Sequence, residues 1–279
     1  MAKIIQYATG ASSYDGPFGG GAPWLSAGMG YVIVTEGGLV VIDGGFAEDG
    51  ESFCELVSSL GGKVDTWILT HPHRDHYRAL HTICTTPELR ERVSIKRIVY
   101  RFPEAFKDDE GAGIEHVLAH MDEVFGASGA ERITPEEGDV FHVDDVKITI
   151  LNTPTDEEPT YCSPNALSLV FMVEGPTGKA VFTGDAYANC LAHVFKVYGD
   201  SLKADILQMP HHGLCDTGHR GFYDAVGADT LLIPSSKAGH RCMRSGIYED
   251  HAKLVCDMED KAARVYLAYN GTTTIEKTI

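Results

Sequence analysis

Three histidines and an aspartate fall within the stretch Thr70-His71-Pro72-His73-Arg74-Asp75-His76. Imidazole nitrogens and carboxylate oxygens are ligands that Zn²⁺, and also Mn²⁺ or Fe, accept. An apolar run over residues 64–69 precedes the stretch and Tyr77-Arg78-Ala79-Leu80 follows it. That order reads as a strand, a short loop and the start of a helix. On extended backbone, alternate side chains point the same way, so His71 and His73 face one ion. Asp75 and His76 open the next element and project to a second spot beside the first. The plainer reading makes Asp75 a helix N-cap and the histidines ordinary loop residues. It does not account for so dense a set of ligand types.

Other strand ends carry the same chemistry. Val41-Ile42 leads to Asp43-Gly44-Gly45, Phe182 to Thr183-Gly184-Asp185, and Met209 to Pro210-His211-His212-Gly213. Loops at strand ends are where α/β architectures carry their sites. Weaker candidates are His116 and His120, four apart on a helix, and Cys215 close to His211 and His212.

These side chains need a scaffold, and hydrophobic periodicity supplies its outline. Strands are expected over residues 3–7, 31–34, 39–42, 93–100, 166–173, 179–182, 205–209 and 230–233, with two more within 138–152. Helices are expected over 51–60, 186–198 and 247–258, and around Ile114, Val117, Leu118, Met121 and Phe125. Lys237, His240, Arg241 and Arg244 read as a basic loop that could receive phosphate charge. Asn270-Gly271 signals a closing hairpin between 263–268 and 272–276. The polar segment 153–164 reads as a seam between two similar halves, about 1–152 and 165–279, of a single domain spanning 1–279.

Composition narrows the function. Lys and Arg total 23 against 40 Asp and Glu, a formal charge of −17. Such a surface disfavours extended nucleic acid as a partner and leaves small molecules as the expected substrates. There is no run of 18 apolar residues, so no membrane span is expected. No signal-peptide pattern opens the chain, which points to the cytoplasm. The seven cysteines form no C-x-x-C pair and read as reduced thiols rather than a thiolate metal site.

With these motifs in order, the chain resembles the metallo-β-lactamase-fold hydrolases. The family pattern T-H-x-H-x-D-H stands at residues 70–76, its earlier strand-end aspartate at Asp43, its later one at Asp185, and its last histidine within Pro210-His211-His212-Gly213. Within the family, the chain is most similar to competence DNA-uptake channel domains and to choline-phosphate esterases, through Asn165-Ala166-Leu167-Ser168 and the Pro-His-His-Gly turn. The resemblance implies an α/β fold, an αβ/βα four-layer sandwich. It implies one or two Zn²⁺ per chain, with Mn²⁺ or Fe as alternatives. His71 and His73 would bind the first metal, Asp75, His76 and His212 the second, and Asp185 would bridge them. Asp43 would lie beneath, orienting a histidine ring. His211 would support a ligand from behind or touch the substrate's anion. Relatives place a histidine in the third motif, where this chain has Asn152, Thr153 and Asn165, so the first metal has the weaker set of ligands and a one-metal enzyme is an alternative.

The expected reaction is hydrolysis by metal-activated water, on a phosphodiester of small or medium size. Asp75 or Asp185 would hold the nucleophile's proton, and His211 or His251 would protonate the leaving group. Asn165, Lys237, His240 and Arg241 would contact substrate. The alternatives are ester, thioester, lactone or amide hydrolysis, or a metal-binding module without turnover.

Overall fold

A computed structural model describes residues 1–16, 27–104, 106, 113–154, 163–214, 217–245 and 249–279, without the side chains of 167 and 249–252. Among the described residues, the strands form two seven-stranded mixed sheets. The first half supplies β1 (Lys3–Gln6), β2 (Gly30–Val34), β3 (Leu39–Asp43), β4 (Lys63–Ile68), β5 (Ser94–Val99) and β6 (Glu131–Ile133). The second supplies β7 (Val140–Val143), β8 (Val146–Asn152), β9 (Val170–Glu174), β10 (Lys179–Phe182), β11 (Ile206–Gln208), β12 (Thr230–Ile233) and β13 (Arg264–Leu267). The helices are α1 (Gly50–Ser59), α2 (Arg74–Thr85), α3 (Pro87–Arg90), α4 (Glu115–Ser128), α5 (Ala188–Tyr198), α6 (Arg220–Val226), α7 (Lys237–Arg244) and α8 (Glu249–Lys261).

Strand alternation divides the apolar residues into three layers of core. Val40 and Ile42 point one way along β3 and Val41 points the other. The first set meets Ile33, Ile148, Phe171 and Phe182 between the sheets. Val41, with Trp67 and Ile98, packs on the other face of its sheet against Phe53, Val57, Leu80 and Val117 of the helices. The second sheet repeats this, with Val181, Leu207 and Leu231 against Leu191, Val194 and Phe222. Strands buried on both faces read as continuous apolar runs, which is how β3, β10 and β12 appear in the sequence. The result is the expected αβ/βα four-layer sandwich.

The closing hairpin does not form. β13 pairs in parallel with β12 in the second sheet. The chain then turns through Ala268–Asn270 and Gly271 (φ 106°) and crosses to the first sheet. There β14 (Thr273–Thr274) pairs antiparallel with β1. Asn-Gly signalled a turn correctly, but a turn cannot specify which sheet the chain joins next.

This crossing makes the halves match. In the order β14-β1-β2-β3-β4-β5-β6, three antiparallel pairings are followed by three parallel ones. The order β7-β8-β9-β10-β11-β12-β13 shows the same sequence of pairings. β7 and β8 therefore belong to the second half, and the sheets change between Ile133 and Val140 rather than over 153–164. The end of β3, with Asp43, corresponds to the end of β10, before Asp185. The end of β4, before His71, corresponds to the end of β11, before His212.

Two further expectations shift. Residues 164–167 form a 3-10 turn, so β9 begins only at Val170. Lys237, His240, Arg241 and Arg244 stand on α7, not a loop. Ser236 caps that helix by accepting from the Gly239 amide at 2.9 Å, and Ala238, Cys242 and Met243 bury one face. The β14 crossing is tested at Ile275, which is 1% exposed in the core between the sheets. Ile275→Ala is expected to cost about 2–5 kcal/mol of unfolding free energy by urea denaturation.

Candidate metal centre

The site begins with Asp43, which is fully buried at the end of β3 in the left-handed region (φ 52°). Its carboxylate accepts from the Thr70 amide at 2.8 Å, the Thr70 hydroxyl at 2.9 Å and His76 Nδ1 at 2.8 Å. Trp67 Nε1 donates to its carbonyl at 2.9 Å. Asp43 thus locks the loop after β4. The bond to His76 fixes that ring's tautomer, leaving the Nε2 lone pair for the site. Thr70 spends its hydroxyl proton on Asp43, so its oxygen can accept from His71 Nδ1, 3.1 Å away. That frees His71 Nε2 in the same way.

α2 takes its N-cap from His73, so Asp75 is a residue of the helix's first turn and not its cap. From there its Oδ2 lies 3.3 Å from His212 Nε2 and 3.8 Å from His76 Nε2. The His71 and His73 rings meet edge to face at 4.6 Å.

The second half contributes Asp185 and His212. Gly184 has φ 53°, and a Cβ there would sit 2.7 Å from Thr70 Cβ. Only glycine lets the end of β10 approach the histidine loop this closely. The next residue's amide, Asp185 N, donates to Ser168 Oγ at 3.2 Å. Asp185 Oδ2 lies 3.3 Å from both His76 Nε2 and His212 Nε2, and 3.7 Å from His71 Nε2. His211 and His212 both adopt left-handed backbone (φ 47° and 55°), an uncommon state for non-glycine residues. That twist turns His212 inward, where its Nδ1 donates to the Pro234 carbonyl at 2.7 Å. His211 faces the Tyr187 ring instead, 5.2 Å away.

Two groups result, His71 with His73 and Asp185, and Asp75 with His76 and His212. Within each group the ligand atoms lie within 4.8 Å of one another. The Nε2 atoms of His71, His76 and His212 and Oδ1 of Asp185 are buried and make no hydrogen bond. Buried lone pairs converging without donors fit a divalent cation. Without one, the protons rearrange. Burial pushes the His71 pKa well down, aided by His76. Burial acts the same way on His76 and His212, but the surrounding aspartates overcome it, and His212 is raised to about 10. Burial would raise the pKa values of Asp75 and Asp185, yet these imidazolium charges hold both well down.

Sequence reasoning assigned no role to Thr70, Ser168 or Gln208. Gln208 is fully buried, accepts from the Thr183 amide at 2.8 Å and donates to the Gly184 carbonyl at 3.0 Å, tying two ligand loops together. A lone glutamine in an apolar strand was the available signal. In the third-motif region, Asn152 donates to the Ser168 carbonyl at 2.9 Å and Asn165 to the Tyr187 hydroxyl at 3.2 Å. His120 accepts from Tyr77 at 2.8 Å and belongs to neither ligand group. Cys215 and the His251 side chain lie outside the described residues. The basic residues of α7 are engaged with acids. Lys237 pairs with Asp15 at 2.7 Å, Arg241 pairs with the same carboxylate, and His240 pairs with Glu259 at 3.0 Å.

The sequence profile of the metallo-beta-lactamase superfamily matches residues 26–217. ComE operon protein 3 of Bacillus subtilis (strain 168) is 27% identical over 214 residues, 75% of this chain but 24% of that protein. The chain thus spans about a quarter of that relative's length. Three solved structures share the fold. YhfI, a metallo-beta-lactamase fold protein from Bacillus subtilis, has a TM-score of 0.57 at 14% identity, covering 99% of this chain and 100% of its own. CmlA, a diiron beta-hydroxylase from Streptomyces venezuelae, has 0.56 at 13%, covering 98% of this chain and 54% of its own. A diphosphatase of the PhnP family has 0.53 at 15%, covering 100% and 99%. No helix among the described residues is long and apolar enough to cross a membrane.

Asp43→Asn would turn an amide N–H toward His76 Nδ1 and move that ring's proton onto Nε2. Metal affinity should fall about 10–100-fold, read by competition with a chromophoric chelator. Metal must also displace protons from His76 and His212, so affinity should rise about tenfold per pH unit for each proton displaced. Stability of the metal-free chain should move oppositely. The raised histidine pKa values contribute fully below about 6.5, and that contribution is lost as pH climbs toward 10. Thermal melts of stripped and loaded protein across this window check the opposed slopes.

Proposed function

The chain belongs to the metallo-beta-lactamase superfamily; on that premise we propose that it is a metal-dependent hydrolase that cleaves a phosphodiester of small or medium size. The observation that carries the reading is the position of Asp185 Oδ2, within 3.7 Å of the free Nε2 atoms of His71, His76 and His212. One carboxylate oxygen facing both ligand groups suits a paired site holding two Zn²⁺, with Mn²⁺ or Fe as substitutes the same donors accept. Such ions supply acidified water at neutral pH and polarise a scissile phosphoryl group.

The chain's own residues do the rest. His71, His73 and Asp185 would hold one ion, and Asp75, His76 and His212 the other. Asp75 or Asp185 would take the proton of the attacking water on a carboxylate oxygen. The His211 ring lies between those of His212, 6.2 Å away, and Tyr187, 5.2 Å away, whose hydroxyl is anchored by Asn165. That row offers a proton donor for the leaving oxygen and a contact for a non-bridging one. Phosphorus chemistry is supported by the subgroup motifs at residues 165–168 and 210–213, and the diphosphatase among the fold neighbours accords with it. A charge of −17 disfavours extended nucleic acid as a substrate and supports a small molecule.

Elemental analysis of protein purified without chelator should find up to two metals per chain, and marked loss in Asp185→Ala. Loaded enzyme should cleave bis-p-nitrophenyl phosphate or p-nitrophenyl phosphorylcholine faster than a lactone or nitrocefin. Cleavage confined to the last two would overturn the phosphodiester reading. Cleavage of none would leave a binding module.

A further inference from the structure

Beside the metal centre lies a cleft of about 480 Å³ whose walls include Phe46, Ala47, Glu48, Arg74, Tyr77 and Arg78. Its size is that of a small-molecule pocket. Arg74, in the cleft wall, stands in the chain between His73 and Asp75, one from each candidate ligand group. Arg74 and Arg78 are four apart on α2 and therefore share a face of the helix. Arg78 makes no ion pair with a described residue. Its guanidinium lies over the Tyr77 ring, 6.0 Å from the centroid, and within 3.3 Å of His120 Nδ1. Burial and the neighbouring His81 and Arg78 hold the His120 pKa down to about 4, so this ring brings no second positive charge. Phe46, Ala47 and Tyr77 give the cleft an apolar floor, and Glu48 adds one acid.

We propose that this cleft, through Arg74 and Arg78, binds the non-reacting end of the substrate, and that this end is an anionic group on a flat apolar body. The two guanidiniums recognise phosphate or carboxylate through charge-assisted bonds. The apolar floor takes the body, and Glu48 accepts from a hydroxyl or amine on it. In a chain this acidic, two arginines at the mouth of the site set which small anions approach it. The inference rests on the hydrolase reading for what happens next, but binding does not.

Binding is therefore measured apart from turnover, on metal-free protein, by calorimetry with phenyl phosphate, benzoate and benzyl alcohol. Phenyl phosphate or benzoate should bind, and the tighter of the two identifies the anion. Benzyl alcohol should bind at least tenfold more weakly. Arg74→Ala and Arg78→Ala should each weaken the anion about tenfold, the size of one charge-assisted bond. Arg78→Lys should recover part of the loss. Benzyl alcohol binding as tightly as the anions, or unchanged affinity in the doubly substituted protein, overturns the proposal and leaves the hydrolase reading intact. Anion binding in a protein that cleaves nothing when loaded supports the cleft and overturns the hydrolase instead.

Discussion

Imidazole nitrogens and carboxylates enclosed without hydrogen-bond donors are costly unless a positive charge joins them. The rest of the molecule is arranged to hold that cost in one place. Asp43 holds one ring, the Pro234 carbonyl another and the Thr70 hydroxyl a third, each from the Nδ1 side. All three therefore turn Nε2 toward the same volume. Asp185 enters from the opposite sheet, carried by a glycine that lets the two loops touch. Left-handed backbone at Asp43, His211 and His212 is the local strain this convergence requires.

The matched pairing order of the sheets gives this convergence a simple origin in topology. Equivalent strand ends carry Asp43 and Asp185, and equivalent neighbours carry His71 and His212. Pseudo-symmetric halves meeting face to face bring these ends to one rim. The halves have diverged in use. Asp43 supports the His76 ring from below, whereas Asp185 stands among the converging Nε2 atoms.

Much of this was legible in the sequence because the relevant signals are local. Residues 70–76 show their chemistry in composition alone. The strands before each motif are apolar runs with sharp ends, and β3, β10 and β12 lie within a residue or two of where periodicity places them. What escaped depends on distant contacts. Nothing in residues 263–276 says that β13 and β14 join different sheets. A basic string at 237–244 looks like a loop until Ser236 is seen to cap it, and looks like a phosphate receptor until Asp15 and Glu259 are seen beside it. His211 and His212 are adjacent and chemically identical, and only the backbone twist and Pro234 separate their roles.

β14 has a consequence for how the chain is made. Its partner β1 lies at the other end of the described fold, and its backbone edge stays unpaired until residues 273–274 are in place. Until then the first sheet lacks a border strand and the core between the sheets lacks Ile275 and Ile279. A nascent intermediate with an open edge is prone to pair with a neighbour on the same messenger. Folding of the first half thus stays open-edged until β14 docks, and that late docking is the event that seals it.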